Sequence, residues 1–141
     1  MQVHHNVRKE CETTAYNVFL SFSMEDKRLV ALFRGQAKNQ RLPLKFRDHS
    51  IKEPIERGWK EQCEAKIRRS SVTICLVGRM THLSDAVNWE IRKSVELDKA
   101  VMAVYLVDGH PPLPAALQEN STRPVRWKIN EIMTGIRRVV E

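Results

Sequence analysis

The chain has 141 residues, of which 42% are hydrophobic and 29% charged, and a chain of this size can bury a sizeable core without disulfides or a structural metal. Lys and Arg number 24 against 17 Asp and Glu, a net charge of +7. Because these basic residues are scattered, the pattern favours a solvated surface over a nucleic-acid-binding stripe, and a phosphate-bearing small ligand ranks between the two. The polar N-terminus "MQVHHNVRKECETT" and the lack of any long apolar run predict neither export nor a membrane span.

The cysteines of the chain give no sign of a disulfide framework or a metal site. Cys11, Cys63 and Cys75 form an odd set without a C-x-x-C pair, and no His stands at metal-ligand spacing. A reducing, cytoplasmic location fits this usage best. We therefore expect no metal and no bound cofactor. The organisation predicted is a polar lead-in over residues 1–16 and one domain over 17–141.

The first half of the domain reads as strand, helix, strand. The stretch "YNVFLSF" (16–22) is apolar and rich in aromatic residues, which predicts a buried strand. Ser23 offers an N-cap oxygen with Asp26 three positions on, a variant of the capping box. The apolar residues of the helix that follows recur at helical spacing: Leu29, Leu32, Phe33 and Ala37. A second strand is predicted over 42–48, near a sheet edge because Pro43 cannot donate to a ladder.

The second half repeats the alternation three times. Trp59, Cys63 and Ile67 predict a helix with a narrow apolar face, and "SVTICLVG" (71–78) predicts the central strand. A helix over 87–97 and a strand "AVMAVYLVDG" (100–109) follow. The rest contains a loop with one helical turn at 114–118, a short strand "VRW" (125–127), and a closing helix marked by Ile129, Ile132, Met133, Ile136 and Val140. Five strands interleaved with helices predict an α/β fold, a five-stranded parallel sheet covered by helices on both faces.

Ligands of such sheets bind beyond the carboxyl ends of the strands. This rule selects the residues that follow each predicted strand: Phe22, Ser23, Asp48, His49, Gly78 to His82, and Asp108 to His110. Glu90 joins them, since it lies about two turns into the 87–97 helix and its side chain leans back toward the helix N-terminus. At about 100° per residue it falls on the margin of the apolar arc of that helix rather than on the solvent face.

Several other functions known for this architecture are excluded, because the chain lacks the residues that they need. A phosphoacceptor receiver domain needs an Asp at the end of the third strand, where this chain has Val77, Gly78 and Arg79. The five glycines form neither the P-loop pattern nor the G-x-G-x-x-G pattern of dinucleotide-binding domains. The nucleophile elbow G-x-S-x-G is missing as well.

The remaining architecture, a flavodoxin-like sheet with a carboxylate, resembles a known family. The segments that carry the resemblance are, in order, "VFLSFSMED", "FRDHSIKEP", "GWKEQCEAKIRRS", "VTICLVG" and "AVNWEI". They are similar to the TIR-like domain family, and most of all to the TIR-like proteins of the Thoeris anti-phage defence system. The resemblance covers roughly residues 17–140. It departs from animal TIR domains where Pro54 is followed by Ile55 instead of Gly.

The resemblance implies an activity for Glu90. In enzymatic TIR domains a glutamate at this position cleaves the nicotinamide glycosidic bond of NAD, so NAD is the implied substrate rather than a bound cofactor. A carboxylate against the ribose would stabilise the developing oxocarbenium ion. Resemblance to Thoeris proteins implies a cyclic ADP-ribose-type product that signals to an effector.

The resemblance also implies roles for residues around Glu90. Phe22 and Ser23 match the strand tip that lines the substrate cleft, and Gly78 and His82 follow the third strand. Trp89 either helps to form the adenine platform of a neighbouring subunit or simply covers surface.

Asp48 and His49 stand in the loop through which TIR domains contact one another, so self-association is implied. The alternative function is a non-enzymatic adaptor that acts through TIR–TIR contacts alone.

Overall fold

The fold is a parallel sheet between two layers of helices, and the computed structural model describes residues 15–47 and 58–141. The strands are β1 (Tyr16–Ser21), β2 (Leu44–Phe46), β3 (Val72–Val77) and β4 (Ala100–Tyr105). The helices are α1 (Lys27–Asn39), α2 (Trp59–Arg68), α3 (Asp85–Glu96), α4 (Ala115–Glu119) and α5 (Ile129–Val140). Two 3₁₀ turns, Met24–Asp26 and Thr81–Leu83, follow β1 and β3. The predicted α/β class is confirmed.

In the described part of the chain the sheet has four strands in the order β2-β1-β3-β4, all parallel, so the prediction of five strands is wrong. The segment predicted as the fifth strand forms one isolated parallel bridge, Val104 to Val125. Two backbone hydrogen bonds of 2.9 Å hold it there, Tyr105 N to Val125 O and Val125 N to Ala103 O. The pairing does not continue toward the C-terminus, because the chain bends at Trp127 and enters α5 at Ile129.

The two faces of the sheet bury different side chains because successive residues of a strand point to opposite sides. Along β1, Val18, Leu20 and Phe22 pack in the larger core with residues of α1 and α5. Phe19 belongs instead to a cluster with Trp59, Cys63 and Ile67 of α2. On the same side of the sheet, a third cluster joins buried residues of β3 and β4 to α3 and α4: Cys75, Val77, Val87, Ile91, Val101, Ala103, Ala116 and Leu117.

Helix α3 begins at a well-formed cap. The Ser84 side chain accepts a hydrogen bond from the backbone N–H of Val87 at 3.1 Å, and Asp85 adds negative charge in the first turn. Both features stabilise a helix N-terminus, because they satisfy a free N–H and oppose the positive end of the helix dipole. The helix therefore starts at a fixed point beside the tip of β3, which fixes the position of every residue that follows, including Glu90.

Ile136 tests the contribution of α5 to the larger core. Its side chain is fully buried, and Ile136→Ala would leave a cavity that costs about 2–5 kcal/mol in the free energy of unfolding. Urea denaturation followed by circular dichroism measures this loss. Thr134→Ala, at an exposed position of the same helix, should change the stability by less than about 0.5 kcal/mol. Equal stability of the two variants would contradict the packing described.

Candidate active site around Glu90

The Glu90 side chain lies inside the protein. It has no exposed surface, and its Oε1 accepts a 2.6 Å hydrogen bond from the hydroxyl of Ser21, the last residue of β1. The Cys63 Sγ of α2 lies 3.5 Å from the other oxygen, Oε2. Helical periodicity put Glu90 at the margin of the apolar arc, and the structure places it deeper, between β1, α2 and α3. Its partners come from two elements far away in the sequence.

The backbone of Glu90 is also fixed, by a hydrogen bond from a side chain one turn further along α3. The Ser94 hydroxyl donates to the Glu90 carbonyl oxygen at 2.8 Å and lies 2.7 Å from the Thr73 hydroxyl of β3. All these groups are buried. Two serines of equal burial therefore contact Glu90, Ser21 at the carboxylate and Ser94 at the backbone.

A second polar cluster joins the tips of β1 and β3. The backbone N–H of Gly78 donates to the Thr81 hydroxyl at 2.7 Å, and that hydroxyl donates to Asp26 Oδ2 at 3.3 Å. The Asp26 carboxylate lies so close to Gly78 that a Cβ added there would come within 2.6 Å of Asp26 Cγ. Gly78 is required here because the carboxylate occupies the space that a side chain would fill.

The environment of Asp26 raises the pKa of its carboxyl above the ordinary value of 3.8. The largest cause is partial burial, which disfavours the charged form, and the nearby Glu25 carboxylate acts in the same direction. The hydrogen bond from Thr81 opposes both, because it stabilises the charged form.

The residues predicted to line the substrate cleft do not lie together in the structure. Phe22 is 6% exposed and packs in the core of the α1 and α5 face, opposite Glu90. Ser23 and His82 are half-buried, and each stands beside the Asp26–Thr81 cluster. The Ser23 hydroxyl caps the first 3₁₀ turn through the N–H of Glu25 at 3.4 Å. The His82 Nδ1 is buried and has no hydrogen-bond partner among the described residues.

Trp89 forms the wall of a shallow groove on the α2 and α3 side. Its ring packs against Trp59 at a centroid distance of 5.3 Å, and the ammonium groups of Lys60 and Lys93 each lie 5.6 Å from its centre. The groove has a volume of about 590 Å³ and is also lined by Ala86. Trp59 and Ala86 are nearly buried and share a cluster with Cys63, so these residues separate the groove from the Glu90 carboxylate.

A larger groove, of about 840 Å³, lies at the carboxyl end of β4 between α1 and residues 126–128. Asp108 and His110, the candidates after the fourth strand, line it, and the His110 ring stacks on Tyr105 at 5.0 Å. This groove does not include Glu90. We place the candidate site at Glu90, because it lies where the strand order reverses between β1 and β3, the usual ligand position in such sheets.

Several functional features were not predicted from the sequence, and others lie beyond what the structure covers. Asp48 and His49 lie outside the described residues. Ser21 and Cys63 were missed as site residues because each gains its role only from tertiary contacts, whereas Thr81 belongs to the predicted range Gly78 to His82. The sequence signal that could have indicated Ser21 is a polar residue inside an otherwise apolar strand.

Within residues 15–47 and 58–141, no group of three or more His, Cys, Asp or Glu side chains is placed to hold a metal ion. The described helices include none that is long and apolar enough to cross a membrane.

Comparison with solved structures shows that the fold is that of a TIR domain. The crystal structure of the TIR domain of the Toll-related receptor TRR-2 from Hydra magnipapillata matches with a TM-score of 0.58 and 13% identity, over 87% of this chain and 94% of that chain. The TIR domains in the structure of the activated Roq1 resistosome directly recognizing the pathogen effector XopQ match with a TM-score of 0.48 and 21% identity, over 64% of this chain and 57% of that chain. No curated protein sequence matches the chain.

The family is defined by sequence. Residues 19–110 match the model of the family described as Thoeris protein ThsB, TIR-like domain. This match spans more than half of the chain, and the chain belongs to the Thoeris ThsB TIR-like family. The family predicted from the sequence motifs is confirmed.

The contact between Gly78 and Asp26 predicts the effect of a single methyl group. Gly78→Ala should lower the free energy of unfolding by about 1–3 kcal/mol, because the new Cβ displaces the Asp26 carboxylate. Gly35→Ala is the matched control, since nothing lies within 4 Å of its added Cβ in helix α1, and it should stabilise by about 0.5–1 kcal/mol. Chemical denaturation measures both. A second change, Asp26→Ala, should restore part of the loss in Gly78→Ala, and its failure to do so would contradict the contact.

The raised pKa of Asp26 predicts a pH-dependent stability. A carboxyl whose pKa is higher in the folded than in the unfolded state favours folding at low pH, and this contribution is lost as the pH rises through the folded-state value. Asp26→Asn should therefore be more stable than wild type at neutral pH by less than about 1 kcal/mol, because solvent screens a partly exposed group. The difference should disappear in acid. Melting temperatures of both proteins across this range provide the measurement, and a wild type that is more stable at neutral pH would contradict the prediction.

Proposed function

We propose that the protein cleaves the nicotinamide glycosidic bond of NAD, with Glu90 as the catalytic residue, and produces an ADP-ribose or a cyclic ADP-ribose-type signal for an effector. The observation that carries this proposal is a buried carboxylate on the helix after the third strand, at the edge of the sheet where ligands bind. Membership of the Thoeris ThsB TIR-like family supports it.

The chemistry requires little of the protein besides one negative charge. As the bond from the ribose C1′ to the pyridinium nitrogen breaks, its electron pair stays with nicotinamide and neutralises the ring, so no acid is needed. The ribose is left as an oxocarbenium ion, which a carboxylate stabilises strongly in a site that excludes water. Water that adds to C1′ and loses a proton gives ADP-ribose. Attack by a nucleophilic atom of the same molecule gives a cyclic isomer.

The burial of Glu90 is itself an argument for function. An ionisable carboxylate is costly to remove from water, and an apolar side chain in the same place would stabilise the fold at least as well. Groups of this kind are concentrated in functional sites. Glu90 is held by the Ser21 hydroxyl and sits next to the Cys63 thiol.

The same burial means that catalysis includes an opening step. Glu90 has no exposed surface in the described conformation, so NAD reaches it only if helix α2 moves away from α3. The groove at Trp89 lies on the path, since Trp59 and Ala86 form its floor and pack with Cys63. Its two aromatic rings and the ammonium group of Lys60 suit a base and a diphosphate.

The localisation that fits this activity is cytoplasmic, where NAD is plentiful.

A second candidate is a docking module without enzymatic activity. The complete burial of Glu90 favours this second candidate. A carboxylate that is hydrogen-bonded to Ser21 and covered by α2 can also have a purely structural role. Three exposed apolar residues, Met24, Met80 and Leu83, belong to the turns that follow β1 and β3. Such residues at the rim of a site are suited to contact with another copy of the domain. Binding of another copy of the domain would also supply the free energy needed to move α2 in an active enzyme.

Glu90→Gln separates the two candidates. Concentrated protein is incubated with NAD, and released nicotinamide is measured by chromatography, with mass spectrometry to distinguish linear from cyclic products. The variant keeps an oxygen for Ser21 but loses the charge, so release should fall by at least about 100-fold. Glu96→Gln is the matched control, an exposed glutamate of the same helix, and should keep wild-type activity.

Two outcomes would reject the enzyme. A folded wild type that releases no nicotinamide at high concentration supports the docking module. Equal rates for wild type and Glu90→Gln would remove Glu90 from the reaction.

A further inference from the structure

The Ser21–Glu90 hydrogen bond connects two elements that are 69 residues apart in the sequence. Ser21 is the last residue of β1, and its hydroxyl donates to Oε1 over 2.6 Å with both side chains fully buried. A hydrogen bond to a charged acceptor is shorter and about twice as strong as one between neutral groups. The rotation of the Glu90 carboxylate is therefore restrained by the end of a strand whose position the sheet defines.

The two carboxylate oxygens have different surroundings. Oε1 faces Ser21 and the sheet, whereas Oε2 faces Cys63 on α2. Cys63 packs with Trp59, which lines the groove beside Trp89. Oε2 is thus the oxygen on the side from which a ligand would enter when α2 moves.

Resting on the function proposed above, we infer that Ser21 is a positioning residue that holds Oε1 of Glu90 so that Oε2 faces the ribose of the substrate. In the open state, Cys63 leaves with α2 while Ser21 remains, because Ser21 is paired with Cys75 of β3 inside the sheet. Ser21 therefore keeps the Glu90 carboxylate aligned after Cys63 has moved away. Misplacement of a catalytic group by about 1 Å can reduce a rate about 100-fold.

Ser70 provides a matched control outside the site. Its hydroxyl is also buried, in the turn between α2 and β3, and donates to the backbone carbonyl of Lys66 at 2.8 Å. Ser21→Ala and Ser70→Ala remove the same group, and each loses a hydrogen bond, so both should lower the melting temperature. Only Ser21→Ala removes the hydrogen bond to the Glu90 carboxylate.

The experiment measures kcat and KM for nicotinamide release with each variant. Ser21→Ala should lower kcat by about 10- to 100-fold with little change in KM, since the aligned carboxylate acts in the transition state. Ser70→Ala should keep kcat within about 2-fold of wild type, within the scatter expected for a substitution outside the reaction. Ser21→Thr retains the hydroxyl and should recover most of the rate. In a Glu90→Gln background, Ser21→Ala should cause no further loss, because its effect passes through the carboxylate.

The outcomes separate this inference from the function on which it rests. Equal kcat values for folded Ser21→Ala and Ser70→Ala in an active protein overturn the role of Ser21 alone. If Ser21→Ala does not fold, Ser21→Cys carries the test, because a thiol is a weak donor of similar shape, and its kcat must fall below that of Ser70→Ala. A wild type without nicotinamide release overturns the enzyme and the positioning role together.

Discussion

The arrangement of the site depends on one hydrogen bond, from the hydroxyl of Ser21 to the carboxylate of Glu90. A carboxylate without such a partner would be too costly to keep in the interior. The bond fixes how α3 sits against β1, and the cap at Ser84 fixes where that helix begins. The position of the acidic group is thus set jointly by a strand end and a helix start, two of the most rigid points in an α/β fold.

The tips of β1 and β3 are tied together by a different kind of contact. There a glycine makes room for a carboxylate, and a threonine joins the Asp26 side chain to the Gly78 backbone. The strain is small because Gly78 has no Cβ. This cluster lies nearer to solvent than Glu90, so the structure separates an outer polar contact from an inner one. The outer contact holds the two turns, and the inner one holds the group to which we assign chemistry.

The sequence predicted the main elements because their apolar periods are strong: β3 is fully buried, and α2 buries Trp59, Cys63 and Ile67 as expected. It failed at the fifth strand, where "VRW" has strand-forming residues but the chain bends into α5 after one bridge. Glu90 was found from its place in the helix and from the family motifs. Its depth and its partners could not be predicted, because a helical period gives a direction but not what packs over it. Phe22 faces away from the site because successive residues of a strand point to opposite sides of the sheet.

The outline of the sheet restricts how copies of this domain can join. In the described part of the chain, one edge strand, β2, has three residues, and beyond β4 the other edge carries a single bridge at Val125. An edge this short exposes few backbone groups for a neighbouring strand to pair with. The β2 edge is thus poorly suited to continue the sheet into a neighbouring molecule, and a contact on that side would rest on side chains and turns.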